Sequence, residues 1–451
     1  MPDQQLASRR GRLLTAAPLL GAGALAVAVV VILQIHGRGW LAYDEAARVE
    51  PGYRLSLLLQ GGHWASVWGW LNDQTFYPFA MPAIHGLLLW AGVGTMAAAW
   101  LPSLAAYATA GLLTARLTRA LGGGSWGALG AAILFWTVPL EMRLASGAFT
   151  EPLGICVDLA LVLALIRLQR RPGVRDVAVC GALIAVASWI KWDYGIVAVL
   201  VVAVSALVIR GGRRPTLVAL GAGIVIAGAL LAVNAPAKLA GFTWYTGQAA
   251  PSGAHQVNLL YYLQQLLPGA AEVNVSLVAT ALLVLGAATG VREWRRRPEV
   301  RPVVVLVAVL YVLYSVATIK HPRYVATMIP PLAVLAGVGL GRLLAARWAS
   351  LGSRRALAAA AVSAAVVLEA GPMGVRLPWL DANPAADVDR GRAVDAVANA
   401  PGRVLLLGSD NWVSPDGVRL LVELRVHHSW WQITTPPGRP AAPYTVVHAR
   451  G

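Results

Sequence analysis

Charge is what this sequence has least of. Asp, Glu, Lys and Arg make up 13% of its 451 residues, roughly half the share of an ordinary water-soluble chain, whereas 57% are hydrophobic. That ratio excludes the string of soluble domains that length alone would suggest. Cysteine is nearly missing too. Cys156 and Cys180 are the only two, both inside apolar stretches. This excludes a disulfide framework and a cysteine metal site, and leaves them as small packing residues. No Gly-rich phosphate loop follows a strand pattern, Gly122-Gly123-Gly124 being a turn between apolar runs, so nothing points to soluble nucleotide binding. His427, His428, Trp430 and Trp431 lack the spacing of a metal site and read as an aromatic surface strand.

What the chain has in abundance is apolar length. Stretches able to cross a bilayer of roughly 30 Å recur from Leu13 to Leu368. They predict an all-α polytopic membrane protein of about 11 transmembrane helices. The spans are placed near 13–35, 99–119, 126–140, 152–168, 177–190, 195–210, 216–235, 275–290, 302–318, 324–345 and 355–371. The first run is long for a signal peptide and lacks a small-residue cleavage site, so it is read as a helix. From about 372 the composition turns soluble, predicting a small α/β region with a helix near 384–399 and strands near 403–408 and 444–449. The chain therefore divides into a membrane part, 1–371, with long loops at 36–98 and 236–274, and a C-terminal domain, 372–451.

The formal net charge is +16. Arginines punctuate the apolar runs instead of clustering on one soluble domain, so anionic lipid headgroups are the expected partner and nucleic acid is not. Basic residues gather in alternate connections, among them Arg9, Arg10 and Arg12; Arg170 and Arg171; Arg213 and Arg214; and Arg295, Arg296 and Arg297. The positive-inside rule then puts the N-terminus in the cytoplasm and the C-terminal region outside, in a multi-pass protein of the plasma (inner) membrane. In the first outer loop the run Phe79–Trp90 is too short to span and is expected to lie along the interface.

Four motifs place polar chemistry at the outer ends of the spans. Tyr43-Asp44-Glu45 follows the first span. It reads either as a solvated pair at a helix end or as a carboxylate able to take a proton from an attacking hydroxyl. Thr150-Glu151-Pro152 reads as a helix N-terminus capped by Thr150, with Glu151 available to face a cavity. Lys191, between Trp189 and Asp193, can snorkel to the interface, pair with Asp193 or meet a phosphate. Lys320-His321-Pro322-Arg323-Tyr324 sets two cations in a tight turn on the outer side. That runs against the positive-inside rule and suits an anionic partner. Asp158, within a predicted span, is read as a polar helix-packing contact.

Taken in order, the acidic pair after the first helix, the Glu-Pro of the next outer loop, the lysine before Tyr-Gly and the Lys-x-x-Arg-Tyr cluster with Pro330-Pro331 resemble the GT-C superfamily of membrane glycosyltransferases. The pattern is most similar to protein O-mannosyltransferases and the aminoarabinose transferase of lipid A. It covers roughly residues 13–345. The resemblance implies a polyprenyl-phosphate-sugar donor and transfer of one sugar, a hexose or pentose, with inversion. The acceptor would be an extracytoplasmic lipid, glycan or protein. It also implies Asp44 as catalytic base, Glu45 and Glu151 as further carboxylates of the site, and Lys191, Lys320 and Arg323 as the donor-phosphate residues. Tyr43, His63, Tyr77, Trp192, Tyr245, Tyr262, His321 and Tyr324 would line the donor and acceptor cavity. No cofactor is implied, though the acidic pair leaves a divalent cation open. Two other classes fit the composition: a polytopic lipid or sugar transporter or flippase, and a ligase that moves a whole glycan from a polyprenyl-pyrophosphate carrier. Against the first, no internal repeat is found and the polar motifs gather at one face instead of mid-membrane.

Overall fold

A computed structural model describes residues 17–32, 43–74, 78–209, 212–247, 258–268, 270, 273, 275–317 and 321–347, with short segments at 404–407, 433–434 and 445–448. The membrane part is helical. Its elements are α1 (Ala17–Ile32), α2 (Tyr43–Gln60), α3 (Trp64–Asp73), α4 (Ala80–Trp90), α5 (Thr95–Ala120), α6 (Gly124–Trp136), α7 (Pro139–Ala145) and α8 (Glu151–Arg170). Then follow α9 (Val174–Ile190), α10 (Trp192–Val208), α11 (Arg213–Leu231), α12 (Ala235–Gly247), α13 (Tyr261–Gln265), α14 (Leu277–Trp294), α15 (Arg301–Val316) and α16 (Ile329–Arg347). A 3₁₀ turn, Pro322–Met328, leads into α16.

Helices fill every predicted span position that lies within the described residues; the span near 355–371 lies outside them. By length and composition, however, four of the described helices qualify to cross a membrane, and a fifth if α6 and α7 count as one broken span. The expected count of eleven is not reached by this measure among the described residues, for two physical reasons. Helix α6 has 13 residues and α9 and α10 have 17 each, below or at the lower limit of the roughly 17–25 that a bilayer core takes. Others, α8 above all, carry buried charge within their length. The break between α6 and α7 turns the chain by 67°. Pro139 opens α7 and pushes Val138 into an extended conformation, which ends α6.

Loop 36–98 departs further from its reading. It is largely helical, holding α2, α3 and α4. The predicted interfacial run at Phe79–Trp90 is helix α4. Pro51, Gly52 and the Gly61-Gly62 turn interrupt its apolar runs, so length-based reading saw a loop where short helices stand.

At the centre lies α8, buried along nearly its whole length and packed against α5, α9 and α10. Opposite it α16 packs on α6 through facing glycines. A Cβ at Gly127 would strike the Gly337 carbonyl, and one at Gly341 the Gly123 backbone. Small residues here let two backbones touch, the association mode that dispersion favours where no hydrophobic effect acts between helices. By contrast α11 exposes Val218 and Val225, and α14 exposes Val284 and Val291. Such contiguous apolar exposure suits a lipid solvent. The chain is an integral membrane protein.

In the C-terminal region β1 (Val404–Leu407) lies between β2 (Ile433–Thr434) and β3 (Thr445–His448), both parallel to it. Two of these fall where strands are predicted. The helix predicted near 384–399 and the aromatic strand at 427–431 lie outside the described residues.

Candidate active site

Two separate elements converge on Glu151, the first residue of α8, which is fully buried. From the α9–α10 junction comes Lys191, whose backbone is extended where one helix stops and the next begins. Its ammonium stands 3.7 Å from Glu151 Oε1 and 3.2 Å from Asp193 Oδ2. From the 3₁₀ turn comes Arg323, its Nε 3.4 Å from the same Glu151 oxygen. With only 3% of its side chain exposed, Lys191 is committed to this cluster, which overturns the snorkelling alternative.

Aromatic rings enclose the cations. The Lys191 ammonium lies 4.8 Å from the Tyr324 ring centre and 5.7 Å from that of Tyr194, and the Arg323 guanidinium 5.9 Å from Tyr324. Ring faces attract cations most where water is excluded. Tyr314 stacks on Tyr324 at 4.6 Å and 2°, and its hydroxyl donates to Asp193 Oδ2 at 3.3 Å. Tyr262 closes this stack from α13, its ring 6.3 Å from that of Tyr314. His321 is exposed; its Nδ1 accepts from the Arg323 amide and shapes the turn that aims Arg323 inward.

Helix α2 docks on the segment just before Glu151. Glu45 Oε1 accepts from the Ala148 amide at 3.1 Å, and Arg48 Nη1 donates to the Ala148 carbonyl at 3.1 Å. Ser103 holds the Phe149 carbonyl at 2.8 Å. Gly147 is required here, because a Cβ would collide with the Glu45 carboxylate. Thus Glu45 is a buried structural clamp, and the backbone of Asp44 lies one residue away, in the first turn of α2. Burial pushes the neighbouring His85 down to about 4. Its ring is neutral at pH 7 and adds no charge to the cluster.

Other predicted residues fall elsewhere. His63 is exposed beyond the far end of α2, more than about 20 Å along the helix from Glu45, so it does not line this site. Trp192 borders a separate cavity of about 350 Å³ with Ile196 and Lys238. Lys320 and Tyr77 lie outside the described residues, as do the side chains of Tyr43, Asp44 and Tyr245. Thr150 makes no cap bond; its hydroxyl instead donates to Glu151 Oε2 at 3.5 Å. Asp158 makes no polar packing contact, both its oxygens lacking a hydrogen-bond partner among the described residues.

Three residues of the site escaped the sequence reading. Arg48 looked like one more loop cation. Tyr314 sat unremarked in a span. Glu141 on α7 is wholly buried, close enough to repel Glu151, and neither oxygen has a hydrogen-bond partner among the described residues. The only signal was a carboxylate directly after a predicted span.

An apolar groove of about 480 Å³ is walled by α13, α14, α15 and α16. Met328, at the end of the Arg323 turn, lies in its wall, which reaches along α14 to Val291.

Among solved structures, ArnT from Cupriavidus metallidurans bound to undecaprenyl phosphate superposes with a TM-score of 0.59 at 16% identity, over 88% of this chain and 84% of that one. The same protein in its apo state gives 0.56 at 17% identity, over 89% and 84%. The chain shares the fold of this ArnT. No family model and no curated protein matches the sequence.

Proposed function

We propose that this protein is a membrane glycosyltransferase that moves a single sugar from a polyprenyl-phosphate donor to an extracytoplasmic acceptor, with inversion at the anomeric carbon. The observation that carries the reading is the convergence of Lys191 and Arg323 on one buried carboxylate, with Met328, at the end of the Arg323 turn, in the wall of an apolar groove. The similar ArnT structure holds undecaprenyl phosphate, a ligand of the same shape and charge.

In this reading the isoprenoid lies in the groove and the donor phosphate displaces Glu151 from Lys191 and Arg323, with Lys320 as a third cation. Asp44 removes the proton from the acceptor hydroxyl as its oxygen attacks the anomeric carbon. The bond from that carbon to the phosphate oxygen breaks, and the electron pair leaves with the polyprenyl phosphate. Charge grows on the phosphate during this step, and cations already in place stabilise it without reorganising. Glu151 also serves the resting protein, keeping two buried cations paired while the site is empty. Glu45 positions the base by fixing α2 against Ala148. The rings of Tyr194, Tyr314 and Tyr324 keep water from a donor that water would otherwise hydrolyse. The reaction face is extracytoplasmic and the N-terminus cytoplasmic, with residues 372–451 forming an outer domain.

The test is transfer in proteoliposomes supplied with labelled polyprenyl-phosphate sugars and a cell-envelope acceptor fraction. The expected result is labelled acceptor together with free polyprenyl phosphate. Movement of intact donor between leaflets would indicate a flippase, and a requirement for a pyrophosphate-linked glycan would indicate a ligase.

A further inference from the structure

The largest cavity among those described lies at the other end of the molecule. About 950 Å³ in volume, it is lined by Gln169, Arg170, Leu207, Trp294, Glu299 and Arg301 among others. From Glu151 to Arg170 the central helix α8 runs 20 residues, about 30 Å at 1.5 Å each. The cavity is therefore a bilayer thickness away from the candidate active site. Two candidate spans, Leu277–Trp294 and Pro298–Val316, meet at its rim, which fixes it at the level of the headgroups.

Its chemistry is divided. Leu207, Val208 and Ile209 supply an apolar wall, while Arg170, Arg301 and Gln169 supply a polar one. Arg301 donates to the carbonyls of Trp294 and Val208, and Arg170 to that of Ala120. Carbonyls orient these guanidinium groups but do not neutralise them. Glu299 is the one carboxylate in the wall, 4.0 Å from Arg170, so two positive charges face one negative. Glu293 nearby is engaged by Arg342. Gln169 Oε1 is buried with no hydrogen-bond partner among the described residues; a hydroxyl donor would satisfy it.

We propose that this cavity binds the headgroup of an anionic phospholipid in the leaflet opposite the candidate active site, phosphate toward Arg170 and Arg301, glycerol hydroxyl toward Gln169 and acyl chain along Leu207. A pocket of this kind, basic and set between helix ends at one membrane surface, is where anionic headgroups bind. The site is independent of the transfer reaction.

The test uses the full chain in phosphatidylcholine nanodiscs doped with phosphatidylglycerol, with retained lipid counted by native mass spectrometry. Wild type is expected to retain phosphatidylglycerol over phosphatidylcholine. Arg170→Glu, at a side chain 45% exposed and therefore tolerant of change, should lower that preference about tenfold. Glu299→Gln, which removes the opposing carboxylate, should raise it. Equal retention of the two lipids, or a preference that neither variant moves, would overturn the proposal. So would displacement of the lipid by inorganic phosphate, which would make the site one for a soluble anion.

Discussion

Asp44→Asn is expected to lower sugar transfer by at least about 10²-fold, the lower range for a positioned acid–base group. Asparagine keeps the size of the side chain and its place in the first turn of α2 but cannot accept the hydroxyl proton. Donor binding, proposed to rest on Lys191 and Arg323, should persist. The comparison is turnover at saturating donor against undecaprenyl-phosphate affinity in the same preparation. Turnover within a few-fold of wild type would remove Asp44 from the chemistry and leave the acidic pair with the structural role that Glu45 visibly has.

The second large effect is expected at Glu151, and its sign depends on the ligand. In the empty protein Glu151→Gln leaves Lys191 and Arg323 buried without the carboxylate they share. Lys191 keeps Asp193 at 3.2 Å, but removing one member of a buried ion-pair cluster is destabilising, so thermal unfolding in detergent should occur at lower temperature. A phosphate that occupies the place of that carboxylate should restore what was lost. Undecaprenyl phosphate is thus expected to raise the unfolding temperature of the variant more than that of wild type. Equal shifts in the two proteins would separate the donor phosphate from the Glu151 cluster.

Legibility in the sequence followed the length scale of each signal. Apolar runs located the helices, because backbone satisfaction in lipid leaves a long apolar stretch few alternatives. The same runs do not decide by themselves whether α6, α9 and α10 span, since apolarity marks burial in protein as readily as burial in lipid. Among polar residues, Lys191 and Arg323 were legible because charge at a helix end needs a reason. Their shared partner was not. The distances from Glu151 to Lys191 and Arg323 join residues 40 and 172 positions apart, and only packing reveals such pairs. The stacking of Tyr314 on Tyr324 and the docking of Arg48 on Ala148 were hidden for the same reason. Thr150 misled because its type and position before Glu-Pro promised a cap, whereas the hydroxyl turns to the Glu151 carboxylate.

Arg323 as a phosphate ligand is the central claim, and a titration of undecaprenyl phosphate into wild type and Arg323→Lys tests it most directly. Lysine preserves the charge that pairs with Glu151, so the fold and the empty cluster should survive. It cannot reproduce the planar fork that grips two phosphate oxygens at once. Loss of one charge-assisted contact of about 1.5–3 kcal/mol should weaken binding about ten- to a hundred-fold. An affinity unchanged by the substitution would contradict that claim and return Arg323 to the role of a helix-end anchor.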